Sequence, residues 1–67
     1  MNIRCDFTQA GRIVAIAEIN CRWEEEAIAK AHRLFARRKA ERLDGFELWE
    51  KERLVCLFSI HSAKLVI

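Results

Sequence analysis

An α+β fold of ββαββ order, a four-stranded antiparallel sheet with one helix packed across one face, is predicted by three observations. Two strand-like runs flank Gly11, a stretch with a period near 3.6 fills the middle of the chain, and a second pair of strand-like runs follows Asp44-Gly45. The chain then reads as one domain over 1–67: a first hairpin over 1–20, a helix over 22–43, a second hairpin over 45–60, and a tail or strand extension over 61–67.

In the first run, Ile3, Cys5 and Phe7 share one face while Arg4, Asp6 and Thr8 take the other, the pattern of a strand with one side in water. The glycine in Gln9-Ala10-Gly11-Arg12 marks the turn. In the second run Ile13, Ala15, Ala17 and Ile19 are expected to face the core, with the apolar Val14 and Ile16 on the outer face.

From Glu24 onward Ala27, Ile28, Ala31, Leu34 and Phe35 form one stripe, with Glu26, Lys30, Arg33 and Arg37 opposite. Glu24, Glu25 and Glu26 occupy the first turn and Arg37, Arg38, Lys39 and Arg42 the last turns, which complements the helix dipole. Gly45 is read as the C-terminal cap, and Asn20 as the nearest good N-cap residue, several positions early. A helix of about twenty residues is roughly 30 Å long, whereas a strand of about seven spans roughly 23 Å, so the last turn is expected to overhang the sheet. Arg38 and Arg42, which fall at core angles on a straight wheel, would then sit at the rim.

The second hairpin is read around a three-residue loop, Glu50-Lys51-Glu52. This directs Phe46, Leu48, Leu54, Cys56 and Phe58 inward and leaves Glu47, Trp49, Arg53, Val55 and Leu57 outside, with Glu52 at a strained left-handed position and Arg53 able to stack on Trp49.

Gly11-x-Ile13, Ile19, Glu25-Glu26-Ala27-Ile28, Ala31, Leu34, Glu47-x-Trp49 and Arg53-Leu54-Val55 occur in that order. In these motifs the chain resembles a group of short, uncharacterised bacterial proteins that share a glycine hairpin, an E-E-A-I helix start and an E-x-W-x-x-x-R-L-V second hairpin. The likeness covers about residues 3 to 58 and implies the fold, without an activity. Arg22 and Trp23 stand where those relatives carry Asp or Thr, and the helix exit and tail are longer here.

Composition narrows the function classes. A net charge of +2 is too small for a chain-wide attraction to nucleic acid or membrane. Charged residues interrupt the N-terminal segment, so neither a signal peptide nor a membrane anchor is expected there, and the cytoplasm is the expected location. Cys5, Cys21 and Cys56 have no C-x-x-C spacing and are read as reduced, buried thiols. His32 and His61 lack partners at metal or catalytic spacing, Cys56 and His61 fall on opposite faces of one strand, and consecutive glutamates on a helix do not converge on an ion. No catalytic, cofactor or metal residues are assigned, and an enzyme is not expected.

Two surfaces remain. Val14, Ile16, Trp49, Arg53, Val55 and Leu57 are expected to form an apolar interface on the helix-free face, favouring a homodimer. Arg33, Arg37, Arg38, Lys39 and Arg42 form a basic patch suited to a protein partner with an acidic surface. The leading expectation is a small non-enzymatic protein–protein interaction or regulatory module, with an inhibitor of a larger macromolecular assembly in the same physical class. The alternative is nucleic-acid binding through the basic helix end, which lacks an exposed aromatic row for stacking bases.

Overall fold

The computed structural model describes residues 1–60, and the expected tail over 61–67, with His61, lies outside them. Strands β1 (Asn2–Gln9) and β2 (Arg12–Asn20), helix α1 (Glu24–Arg37), and strands β3 (Gly45–Glu50) and β4 (Arg53–Ser59) follow in the predicted ββαββ order. The strands form one antiparallel sheet in the order β2-β1-β3-β4, so the first strand of each hairpin is central and the second is an edge.

Cross-strand rows on the helix side are almost wholly apolar. One runs Ala15–Phe7–Phe46–Phe58, the next Ala17–Cys5–Leu48–Cys56, and a third begins Ile19–Ile3. Ile3, Cys5, Phe7, Phe46 and Leu48 are fully buried. The helix meets this floor through Ala27 and Ala31, whose small side chains admit the backbone close to the sheet, with Ile28, Leu34 and Phe35 packed around them. Phe35, Phe46 and Phe58 interlock, and the edge of the exposed His32 ring rests on Phe46 at 5.0 Å and Phe58 at 4.8 Å between centroids.

Several local expectations are corrected. The helix spans residues 24–37 rather than 22–43: after the cap at Arg38, a short 3-10 turn covers Lys39–Glu41 and Arg42 takes the left-handed conformation at φ 54°. No long overhang forms. The stop follows from the wheel, because a continued helix would have carried Arg38 and Arg42 into the apolar stripe. Gly45 is therefore not the cap. It opens β3, where a Cβ would lie 1.9 Å from the backbone oxygen of Phe58. At the other end Trp23 is the N-cap without a side-chain bond, and the Glu26 carboxylate accepts from the Arg22 amide at 2.9 Å.

The hairpin faces shift through two bulges. The first turn is tight, with Ala10 at φ 51° and Gly11 at φ 79°, the positive pair that a primed two-residue turn requires. A bulge then leaves Val14 unpaired and turns Ile13 outward opposite Thr8, against the expected inward placement. In the second hairpin Glu50 pairs with Arg53, so the turn is Lys51-Glu52 alone and Lys51, not Glu52, holds the positive φ of 55°. Val55 is the extra residue there, Leu54 swings outward opposite Trp49, and Arg53 lies on the helix side.

Asp44 ties the halves together: its amide donates to the Thr8 carbonyl at 2.8 Å, its carboxylate accepts from the Ala10 amide at 2.5 Å, and its carbonyl accepts from the Ile60 amide at 2.9 Å. Gly45→Ala should cost about 3 kcal/mol or more, because the obstacle is a neighbouring backbone. Gly11→Ala, with open space around its Cβ but a positive φ, should cost roughly 1–2 kcal/mol. Urea unfolding of the two variants checks this ranking, and equal midpoints would contradict the close β3–β4 approach.

Candidate functional site

The helix-free face is built from three cross-strand rows. They read Ile13–Thr8–Gly45–Ser59, Ile16–Asp6–Glu47–Leu57 and Glu18–Arg4–Trp49–Leu54. Apolar side chains stand at both edges, with Ile16 63% and Leu57 64% exposed, while the central strands carry a polar strip. That strip is internally paired: Arg4 Nε donates to Asp6 at 2.9 Å, the Trp49 indole donates to Glu47 at 2.9 Å, and the Arg4 guanidinium lies 5.9 Å from the Trp49 ring centre. Asp6 is 1% exposed, and among the described residues no buried side-chain polar atom lacks a hydrogen-bond partner.

The six residues expected to form the interface are thus divided. Ile16 and Leu57 lie on this face at opposite edges, Trp49 is half-buried between them, and Val14 is the exposed bulge residue of β2. Val55 packs against the core instead. Arg53 does not stack on Trp49, whose cation is Arg4; its guanidinium bridges Glu24 at 2.5 Å and Glu50 at 2.7 Å, clasping the helix start to β3. The hydrogen bonds to Glu50 and Glu24 and the charges of these two carboxylates hold the Arg53 proton more tightly than usual. Ile13 and Leu54 join the exposed apolar set, and neither was legible without the bulges.

The basic patch is also split. Arg33 and Arg37 face β2 and, with Lys30 and Leu34, wall a groove of about 530 Å³ against residues 18–20. Lys30 closes one end of it, donating to the Asn20 carbonyl at 2.8 Å and pairing with Glu26 at 3.4 Å. The Arg22 amide, and after it the Lys30 ammonium, hold the Glu26 carboxyl below its ordinary range. Arg38, Lys39 and Arg42 instead rim a more apolar groove of about 310 Å³ with Phe35, Leu43 and Ile60. Arg38 is engaged twice, pairing with Glu41 at 3.1 Å and lying 5.0 Å from the Phe7 ring centre. Arg33, Arg37, Lys39 and Arg42 make no ion pair among the described residues.

Sequence reasoning did not single out Lys30 or the exposed Trp23, whose ring lies 5.1 Å from the Arg22 guanidinium. Its spacing from Ala27 and Ala31 would put Trp23 on the buried stripe, but as the N-cap it has extended backbone and its ring is exposed.

The groups with chemistry are dispersed. No cluster of three His, Cys, Asp or Glu among the described residues is placed to hold a metal, and none of their helices is long and apolar enough to cross a membrane. All three cysteines are free. Burial pushes the Cys5 thiol up to about 12, with the neighbouring Asp6 charge adding to the shift, and burial also raises Cys56. Neither thiol is tuned as a nucleophile. Comparison with family models, curated proteins and solved structures finds no match to this chain.

Unfolded Cys5 releases its proton near 9.0 and the folded residue only near 12, so its contribution to stability is intact below pH 9 and lost as the pH rises towards 12. Urea midpoints taken from pH 8 to 11 should fall more steeply for the wild type than for Cys5→Ala, which lacks this titration. Parallel slopes would contradict the buried, protonated thiol.

Proposed function

We propose that this chain is a small non-enzymatic protein–protein interaction module of regulatory type that pairs with a second copy through its helix-free face. The observation that carries the reading is the exposure of Ile13, Ile16, Leu54 and Leu57 on the helix-free sheet face in a chain of 67 residues. A chain this short buries a small share of its surface, so covering these residues adds burial that the monomer cannot supply. Two such faces can stack about 10 Å apart, and the polar strip between the apolar edges enters already paired through Arg4–Asp6 and Trp49–Glu47. Burying it therefore leaves few groups without partners. An inhibitor of a larger assembly would use the same physics, occupying a surface on its target.

The alternative is nucleic-acid binding, favoured by one observation: Arg33, Arg37, Lys39 and Arg42 are unneutralised by side chains among the described residues. Against it, these cations point to two separate grooves, and the large aromatics Phe7 and Phe46 are buried rather than offered to bases.

Sedimentation at increasing concentration should give a mass rising to twice that of the monomer. Ile16→Glu combined with Leu57→Glu should hold the protein at monomer mass with unchanged far-UV circular dichroism. A wild type that stays monomeric at high micromolar concentration would count against the module, and a gel shift that weakens steeply with salt would favour the alternative.

A further inference from the structure

The β2 edge and the groove beside it have no part in the face-to-face pairing. β2 runs for nine residues and pairs with no strand but β1, so its outer backbone groups face no neighbouring strand, and of them the Asn20 carbonyl accepts from the Lys30 ammonium. Natural edges are usually blunted by proline, lysine, bulges or short length. This edge has neither proline nor lysine, and from Ala15 to Asn20 its pairing with β1 is regular, the bulge being confined to Val14. The opposite edge, β4, is shorter and begins at Arg53, which is clasped by two carboxylates.

We propose that β2 accepts an extended acidic segment of a protein partner as an added strand, with Arg33 and Arg37 pairing two carboxylates that are two residues apart. The inference rests on the reading of the chain as a protein-binding module and specifies the partner's chemistry.

Three physical points select this occupant. The first is charge: Arg33 and Arg37 are exposed, lack ion partners among the described residues, and stand over the groove flanking β2. The second is spacing. Residues four apart on a helix advance by about 6 Å along its axis, and alternate residues of a strand by about 6.7 Å, so carboxylates at every second position can meet both guanidinium groups. The third is the edge itself, which offers alternating donors and acceptors. Another peptide backbone satisfies both, whereas a phosphodiester backbone supplies acceptors only. A second copy joined β2 to β2 would bring two Arg33–Arg37 pairs together across the seam, which charge disfavours. The partner segment therefore alternates, acidic beneath α1 and apolar or β-branched on the other side, where it continues the Ile16 row.

The test uses the whole chain and a fluorescently labelled peptide of alternating Glu and Val, about eight residues long. Anisotropy should saturate, β2 amides should become slower to exchange with deuterium on binding, and Arg33→Glu with Arg37→Glu should weaken affinity at least about tenfold. That variant should keep its circular dichroism and its self-association, since both positions are exposed and lie on α1, across the sheet from the helix-free face. A peptide with Lys in place of Glu, and one with proline at alternate positions, should not bind. No binding of the Glu peptide, binding indifferent to the two arginines, or equal binding of the proline-interrupted peptide overturns the proposal. The two levels of failure separate cleanly: a flat peptide titration with self-association intact overturns the groove assignment alone. Tighter binding of an oligo-dT strand, lost in the same double variant, overturns the module reading as well.

Discussion

The antiparallel pairing of β1 with β3 is the contact on which the rest of this structure depends. It joins two hairpins that are separated in sequence by the helix, places Phe7 opposite Phe46 and Cys5 opposite Leu48, and so creates the buried centre of the sheet. Neither hairpin has a core alone, since an isolated two-stranded ribbon is marginal in water. The loop closure needed for this pairing is reinforced at one end by Asp44, which bonds to the first turn, to β1 and to the residue following β4. Gly45 then permits β3 to start directly against the Phe58 carbonyl.

From that pairing the distribution of surfaces follows. With β1 and β3 in the centre, β2 and β4 become edges, and one 14-residue helix roofs only one face. The helix-free face must then hold its central polar groups by mutual pairing. Asp6 is nearly inaccessible yet stands among neighbours on the solvent side, where Arg4 pairs with its carboxylate. Exposed apolar residues collect at the margins of this face, and unneutralised arginines collect along the β2 margin of the other. The two proposed modes of association therefore use different sides of one sheet and need not compete.

Much of this was legible in the residues. The alternation of Ile3, Cys5 and Phe7 against Arg4 and Thr8, and the Ala27–Ala31–Leu34–Phe35 stripe, predicted the correct elements because each has one dry and one wet side. Asp6 broke that pattern by becoming buried on the outer face, through packing between strands that periodicity does not describe. The facing of Ile13, Arg53 and Leu54 depended on bulges, and a bulge reverses the facing of the residues between it and the turn while leaving composition unchanged. Glu50-Lys51-Glu52 contains no glycine or asparagine to mark which residue turns, so Lys51 gave no local cue. The early helix stop did have a cue in Arg38 and Arg42 at core angles, which signalled termination rather than overhang. The β2 groove could not be read before the strand order was known, since its two walls are distant in sequence.

An open, binding-competent β2 edge beside a closed β1–β3 centre is the central claim, and residue-resolved amide hydrogen exchange on the free protein tests it most directly. Slow exchange throughout β1 and β3, with fast exchange at alternate residues between Ala15 and Asn20, is the expected result. Uniform protection along β2 would mean that its outer ladder is already occupied, and would contradict the claim.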